Sequence, residues 1–318
     1  MYKVSIIIPV FNAMPYLRKC LYSVLHQNFD DYEVIIVNDG SNDGSKELIE
    51  KVAAEYKNVK VINQRNQGLY ISRQRGLEVA KGKYIGWVDA DDFVSMDMFK
   101  TLYDTAVSHD SDLVYCDYNF YPHKINTKEK WFRPFRGIKD INYVERNNQP
   151  WNKIVKKDLL DKLQISRMFL ECFDEAYIKV LLNAKNPISI NDKLYFYRVG
   201  VNSISTSYKN VNHYKKFISA SMKLKWEMRN ESLYWTEYFN YRIIYYYLIT
   251  MLVAANANEK QEYLNLRNSL RKSTKFKKNK YLKQILKKNF GSLRSFAIEN
   301  LIVFNFYFTR ILAKLVFK

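Results

Sequence analysis

Three carboxylates fall within four consecutive positions, at Asp89, Asp91 and Asp92, directly after an apolar run that ends at Val88. Carboxylates so close together repel one another, and each raises the pKa of its neighbours unless a cation or hydrogen bonds compensate. Mg²⁺ or Mn²⁺ would compensate, because these ions bind one or two carboxylates together with phosphate oxygens. The alternative is that the acids cap the helix expected from Val94 onward. The cluster therefore predicts either a metal and phosphate site or a helix cap.

A second polar turn follows another apolar run and spans residues 38–44, with Asp39 as its first carboxylate. A carboxylate at a strand end can accept a hydrogen bond from the N3–H of a pyrimidine, and that contact would select a nucleotide base. Ordinary turns prefer the same residue types, because Asn, Asp, Gly and Ser bond their own backbone or tolerate positive φ. Asp39 is a candidate base contact, with a plain turn as the alternative.

Both turns belong to an alternating series of strands and helices in the first part of the chain. Apolar runs rich in β-branched residues predict strands, and amphipathic stretches between them predict helices. The predicted strands are 4–10, 33–37, 59–62, 84–88 and 113–116, and two predicted helices are 15–27 and 44–56. The alternation is typical of α/β proteins with a mostly parallel sheet. Because such sheets bind ligands beyond the carboxyl ends of their strands, both turns are expected at the ligand edge.

Composition and charge narrow the class of protein. The 318 residues suffice for one large α/β domain and a smaller part, and 47% apolar residues support a core. The net charge of +19 could indicate nucleic acid or an anionic membrane, but the residues from Asn212 onward hold most of it, with 21 Lys and Arg against 6 Asp and Glu. Residues 1–210 show no nucleic-acid recognition motif, so nucleic acid is not an expected partner.

Cysteine usage and the N-terminus indicate a cellular compartment. Cys20, Cys116 and Cys172 are far apart in sequence, which predicts neither a zinc site nor a disulfide framework. The first apolar run is short and is stopped by Pro9, unlike a signal peptide. We therefore expect a cytoplasmic protein.

Helical periodicity replaces the strand and helix alternation in the last third of the chain. We predict an α/β domain over residues 1–210 and a basic, aromatic-rich helical region over 211–318. The apolar stretch 293–317 is interrupted by charged residues, which disfavours a membrane span. With the basic block 275–288 before it, this stretch fits an interfacial helix on an anionic membrane surface, and equally a helical hairpin that packs on the protein or a partner.

Six short motifs occur in order along the first part of the chain. They are S-I-I-I-P-V-F-N at 5–12, V-N-D-G-S at 37–41, N-Q-G at 66–68, R-Q-R-G at 73–76, G-K-Y-I at 82–85 and D-A-D-D at 89–92. Together they resemble the family 2 glycosyltransferases, and the resemblance covers residues 3–205. It implies the GT-A nucleotide-binding fold and inverting transfer of a sugar from a nucleotide-sugar donor, with UDP preferred, to an acceptor hydroxyl of a glycan or glycoconjugate. A divalent metal, Mn²⁺ or Mg²⁺, is the implied cofactor.

The resemblance also implies roles for residues on the donor side. Asp39 matches the aspartate that contacts the nucleotide base, although Asn38 stands before it where the family usually has an acid. Asp89 matches the aspartate near the ribose, Asp91 the aspartate on the metal, and Arg73 the arginine that faces the diphosphate. The other implied donor-binding residues are Pro9, Phe11 and Asn12, in a loop that wraps the base, together with Asn66 and Gly68.

The catalytic base of this family is an aspartate at the start of a helix beyond the acidic motif. Asp174 fits that position before a helix expected over 176–182, although Phe173 stands where the family has Glu. Glu171 and Glu175 are rivals for the role. All three acids could instead only flank a helix N-terminus, where the dipole favours negative charge.

Two more residues are candidates for the acceptor and metal sites. Trp151, in the W-N-K stretch 151–153, resembles the acceptor side of the family and could stack on a sugar ring, with core packing as the alternative. His213 could complete the metal site, although a lone His usually lies on the surface or in a core. Tyr195–Arg198 resembles the strand that closes the family's domain.

The sequence therefore predicts a metal-dependent glycosyltransferase, cytoplasmic and in one interpretation peripheral on the inner face of the membrane. A non-catalytic sugar-nucleotide-binding module is the alternative, because Phe173 stands where an acid is usual.

Overall fold

A computed structural model describes residues 2–122, 148–165, 173–199, 210–230, 233–273 and 306–316. The described residues form two compact units. Along the chain, the first unit ends after the strand Ile188–Arg198, and the described part of the second begins just before the helix Val211–Glu227. Residues 200–209, between the two units, lie outside the description. The domain boundary near residue 210 stays a prediction.

The first unit is built around an eight-stranded sheet flanked by helices. Its strands are β1 (Val4–Val10), β2 (Tyr32–Asn38), β3 (Val59–Asn63), β4 (Tyr84–Trp87), β5 (Phe93–Val94), β6 (Leu113–Tyr121), β7 (Lys153–Lys156) and β8 (Ile188–Arg198). Its helices are α1 (Met14–Leu25), α2 (Ser45–Glu55), α3 (Leu69–Val79), α4 (Met98–Ser108), α5 (Lys157–Lys162) and α6 (Phe173–Asn183). The α/β class and the five predicted strands agree with this arrangement.

The strand order is β3-β2-β1-β4-β7-β6-β8-β5. The first four strands in this order pair in parallel, as βαβ units require. β7 pairs antiparallel with both β4 and β6, and β5 pairs antiparallel with β8. The sheet is therefore mixed on the side beyond β4. The carboxyl ends of β1, β2 and β4 come together at one edge, which is where both polar turns lie.

The mostly apolar sequence of β1, in which Ser5 is the polar exception, follows from the central place of this strand in the sheet. Every residue from Val4 to Val10 is buried, because helices cover both faces of a parallel sheet. On one face, α3 approaches so closely that a Cβ atom on Gly76 would lie 2.3 Å from Ile7 Cγ2. A glycine is needed at this contact, and the contact sets the distance between α3 and the sheet.

The second unit consists of α7 (Val211–Glu227), α8 (Leu233–Asn256), α9 (Lys260–Ser273) and α10 (Phe306–Val316). The long helix α8 packs against the other three. Within α8, the buried Arg242 donates hydrogen bonds to the hydroxyls of Tyr238 at 3.1 Å and Tyr246 at 2.8 Å. Thr309 of α10 is buried and bonds the Tyr263 hydroxyl of α9 at 3.2 Å. Among the described helices, none combines the length and the apolar character that a membrane crossing requires.

Candidate active site

The acidic turn, residues 89–92, begins where β4 ends at the ligand edge of the sheet. β4 is buried and pairs with β1 so that Trp87 lies opposite Ile7. The turn is tight, since the Asp92 amide donates to the Asp89 carbonyl at 3.0 Å, and the chain then enters β5. The three predicted carboxylates therefore lie together at the end of a buried strand, and each has different surroundings.

Asp89 forms an ion pair with Arg73 of α3. Arg73 Nη2 donates to Asp89 Oδ1 at 2.8 Å, and the side chains are 3% and 23% exposed, respectively. A charge-assisted bond shielded from water is stronger than one on the surface. The structure thus brings together two residues that were predicted to face the donor.

The negative charge of Asp91 is the least compensated by protein groups among the three carboxylates of the turn. Burial, and next the charge of Asp89, raise its pKa from 3.8 to about 6. Among the described residues, no side chain donates a hydrogen bond to this carboxylate; Arg198 Nε bonds the Asp91 carbonyl instead, at 2.7 Å. Asp91 is therefore the carboxylate of the turn best able to accept a metal ion.

Asp92 is held by protein groups on both of its oxygens. The Tyr195 hydroxyl donates to Oδ2 at 2.6 Å, and the Arg198 amide donates to Oδ1 at 2.7 Å. Burial, followed by the charges of Asp91 and Asp89, raises the pKa of Asp92 well above its usual range. Burial likewise raises the pKa of the Tyr195 hydroxyl, which stays protonated and so can donate. The sequence singled out Tyr195–Arg198 only as a closing strand and did not predict this contact.

Asp39 is buried at the end of β2 and holds a neighbouring loop. Its Oδ1 accepts from the Gln64 side chain at 2.7 Å and from the Gln67 amide at 2.8 Å, while Oδ2 accepts from the Gly68 amide at 2.8 Å. A carboxylate has about four acceptor positions, so Oδ2 can accept one more hydrogen bond. Asn66 lies exposed in the same loop. The anchoring of this loop by Asp39 was not predicted.

The ends of β1 and β2 are tied together beside Asp39. The Asn12 amide donates to Ser41 Oγ at 3.1 Å, and Asn12 Oδ1 accepts from the Asn42 amide at 2.9 Å. Phe11 is 52% exposed at this edge. Pro9, which was predicted in the same loop, lies buried inside β1 opposite Val37, because the strand continues one residue past it.

Trp151 packs on aromatic residues of β8. Its ring stacks on Tyr195 with centroids 4.7 Å apart and on Tyr197 at 5.3 Å, and it meets the edge of Tyr118 at 5.0 Å. The ring is partly buried, so packing accounts for much of its surface. The next residues of the W-N-K stretch are buried, and Lys153 Nζ donates to the carbonyl of Trp151 at 3.1 Å. An acceptor role for Trp151 stays a prediction.

The structure describes the predicted catalytic base only by its place in the backbone. Asp174 and Glu175 fall in the first turn of α6, but their side chains lie outside the description, as does Glu171 altogether. His213 belongs to the second unit, where its ring contacts Tyr214 and Phe217. Over the described residues, no three His, Cys, Asp or Glu side chains are grouped so as to hold a metal ion.

Comparison with known proteins assigns the class of enzyme. Residues 5–164 match the model of the family described as Glycosyl transferase family 2. The chain belongs to this family, and the predicted family and GT-A fold class are confirmed.

Several bacterial relatives are about 30% identical to this chain over the aligned residues. It is 32% identical over 226 residues to the cholesterol galactosyltransferase of Borreliella burgdorferi, covering 65% of this chain and 63% of the relative. It is 30% identical over 220 residues to glycosyltransferase GlyA of Streptococcus pneumoniae, covering 64% and 31%, respectively. It is 32% identical to GlyG of the same organism, covering 61% and 70%. The match thus spans less than two thirds of the first two relatives.

Solved structures share the fold at low sequence identity. Residues 1–349 of Staphylococcus aureus TarS, in complex with UDP-GlcNAc, give a TM-score of 0.62 at 18% identity, covering 98% of this chain and 90% of that one. The mannosyltransferase PcManGT from Pyrobaculum calidifontis, in complex with GDP-Man and Mn²⁺, gives a TM-score of 0.55 at 13% identity. The match covers 98% of this chain and 86% of that one.

Proposed function

We propose that the chain is a metal-dependent, inverting glycosyltransferase that moves a sugar from a UDP-sugar to an acceptor hydroxyl on a glycan or glycoconjugate. The observation that carries this proposal is the shielded Arg73–Asp89 ion pair beside Asp91, at the carboxyl end of a parallel strand. A cation next to two carboxylates suits a ligand with both negative phosphates and a bound metal ion.

The choice of uridine rests on Asp39. Its carboxylate can accept one further hydrogen bond, and uracil offers one N–H group, at N3. Guanine would present N–H groups at both N1 and N2. The single remaining acceptor position supports uracil over guanine, and the exposed Phe11 ring nearby offers a surface for stacking.

The donor set of the acidic turn fits a hard divalent cation. Burial and the charge of Asp89 raise the pKa of Asp91 to about 6, and a bound cation would favour the charged form of this carboxyl group. When bound there, Mn²⁺ or Mg²⁺ would offset the negative charge that develops on the departing diphosphate. Asp91 would hold it, with Asp89 facing the ribose of the donor, and a role for His213 as a further ligand stays a prediction from the sequence.

In the proposed reaction, the chain's own residues bind, orient and accept a proton. Arg73 faces the diphosphate, with its guanidinium oriented by Asp89. Asp174 takes the proton of the acceptor hydroxyl while that oxygen bonds to the anomeric carbon. The bond from the anomeric carbon to the diphosphate breaks, UDP leaves with the electron pair, and the anomeric configuration inverts. Trp151 is proposed to seat the acceptor.

Association with an anionic membrane surface is also proposed, through α10. Tyr307 and Ile311 lie one helical turn apart and are each 63% exposed, with the exposed Lys314 on the next turn. Exposed apolar residues beside a cation fit the interface of an anionic bilayer. The opposite side, with Phe306, Thr309 and Ala313, is buried.

The proposal is tested by measuring release of nucleoside diphosphate from a panel of UDP- and GDP-sugars, with Mn²⁺ and with EDTA. We expect Mn²⁺-dependent release from at least one UDP-sugar. Tight, Mn²⁺-dependent binding without release, for every donor and with a panel of glycan acceptors, would instead favour the non-catalytic binding module.

A further inference from the structure

We propose that Tyr195 is a positioning residue for the acidic turn, whose hydroxyl holds Asp89 and Asp92 in a fixed relation before any ligand binds. The hydroxyl donates to Asp92 Oδ2 at 2.6 Å and accepts from the Asp89 amide at 3.2 Å. One buried oxygen thus joins the first and the last residue of the turn. The proposal rests on the proposed function only in taking this turn as the metal and diphosphate site.

Arg198, on the same strand as Tyr195, also holds the acidic turn. β8 also contributes the Arg198 amide to Asp92 Oδ1 and Arg198 Nε to the Asp91 carbonyl, both at 2.7 Å. The Arg198 guanidinium in turn packs over the rings of Tyr16 and Tyr121, at 4.8 and 5.1 Å from their centroids. Bonds from one strand therefore reach each of the three acidic residues of the turn.

The pairing of β8 with β5 keeps these bonds in register. Val94 lies opposite Tyr195 and Phe93 opposite Phe196, so the strand that leaves the acidic turn is itself bonded to the strand that restrains it. Groups held by packed neighbours and hydrogen bonds lose less freedom when a ligand binds. Asp92 is assigned here to restraint of the turn, which leaves Asp89 and Asp91 to face the ligand.

Tyr195→Phe separates this role from a contribution to packing. Phe keeps the ring that stacks on Trp151 but removes the hydroxyl. The matched control is Tyr84→Phe, which also removes a buried tyrosine hydroxyl, bonded to the Ser111 carbonyl at 3.0 Å, but at the amino end of β4 and far along the strand from the turn. A purely structural hydroxyl would give the two variants the same phenotype.

The first measurement is hydrogen exchange of residues 87–93 in the ligand-free protein. We expect Tyr195→Phe to accelerate exchange in this segment about tenfold, since the Asp89 amide loses its acceptor, and Tyr84→Phe to leave it near the wild-type rate. Equal exchange in the two variants would overturn the proposal.

The second measurement is the Kd of UDP, with Mn²⁺ and with EDTA. Tyr195→Phe should raise the Kd about tenfold or more in Mn²⁺ and much less in EDTA, whereas Tyr84→Phe should raise neither. An unchanged Kd in Mn²⁺ for Tyr195→Phe would overturn the positioning role. If the wild-type protein binds neither UDP nor GDP in Mn²⁺, the proposed function fails, and the exchange comparison alone decides the role of Tyr195.

Discussion

Arg73 and Asp89 lie sixteen residues apart in sequence, yet Arg73 Nη2 and Asp89 Oδ1 meet at 2.8 Å where α3 passes the end of β4. The Arg73 side chain is almost fully buried. A shielded ion pair of this kind gives little net stability compared with apolar packing, but removal of one partner leaves a poorly solvated charge. The pair therefore fixes α3 against the acidic turn and makes the site sensitive to the loss of either residue.

Arg73→Met tests this relationship, because it keeps most of the buried stem and removes the cation. We expect a loss of about 1 to 3 kcal/mol in the free energy of unfolding, since Asp89 is left without its partner while partly shielded. The control is Arg75→Met on the same helix. Arg75 pairs with Glu78 at 3.7 Å, both side chains are exposed, and the loss of this pair should lower the free energy of unfolding by at most about 0.5 kcal/mol. Urea unfolding in EDTA measures both. Similar losses in the free energy of unfolding of the two variants would show that the buried Arg73–Asp89 pair contributes no more than an exposed ion pair.

The raised pKa of Asp91 predicts how the stability of the metal-free protein depends on pH. The pKa rises from 3.8 to about 6 on folding, so this group favours the folded state at low pH, and that contribution is lost as pH rises through about 6. The change corresponds to at most about 3 kcal/mol between acidic and neutral pH. Asp91→Asn removes the titrating group and should remove this part of the slope.

The measurement is urea unfolding of the wild-type protein and of Asp91→Asn across pH 4 to 7 in EDTA. The variant should gain stability relative to the wild type as pH rises. A constant difference between the two proteins across the range would show that Asp91 does not titrate in this window.

The exposed side of α10 predicts a membrane contact that can be tested without deleting the helix. Tyr307→Ser combined with Ile311→Ser removes two exposed apolar side chains and leaves the buried Phe306, Thr309 and Ala313 in place. We expect weaker co-sedimentation with phosphatidylserine-containing vesicles and an unchanged melting temperature. Val107→Ser, at another exposed apolar position, is the control. Vesicle binding equal to wild type in the double variant would remove α10 as the contact.

Asp174→Asn tests the assignment of the catalytic base. The amide keeps the shape of the side chain but cannot take the acceptor proton, so kcat should fall by roughly 10² to 10⁴, with little change in the Kd of UDP. Glu175→Gln, the neighbouring residue in the first turn of α6, is the matched comparison and should cost far less. Steady-state kinetics with the acceptor decides between them. A strong loss in Glu175→Gln alone would move the base by one residue, and no loss in either would remove it from this helix.

The sequence predicted those parts of the fold that depend on local pattern. β1 and β2 are fully buried parallel strands, so most of their residues are apolar and both strands are easily predicted from the sequence. The two-residue strand β5 is too short to leave a pattern. The link between Tyr195 and Asp92 spans 103 positions and depends on how β8 returns beside β5, which no local signal encodes. Asp39 was singled out for its type and place, but its bonds to the 64–68 loop required the folded chain.

The role of the acidic turn is tested by the rate of UDP release from the UDP-sugar that the wild-type enzyme turns over. This rate is measured in Mn²⁺ for wild type, Asp91→Asn and Asp104→Asn. Asp104 is an exposed aspartate paired with Lys100 on α4 and controls for the loss of a carboxylate. We expect Asp91→Asn to lower kcat/KM for the donor by at least about 10², because the charge that builds on the diphosphate is no longer offset, while Asp104→Asn stays within about twofold of wild type. A rate for Asp91→Asn within about twofold of wild type would contradict the assignment of the acidic turn as the metal and diphosphate site.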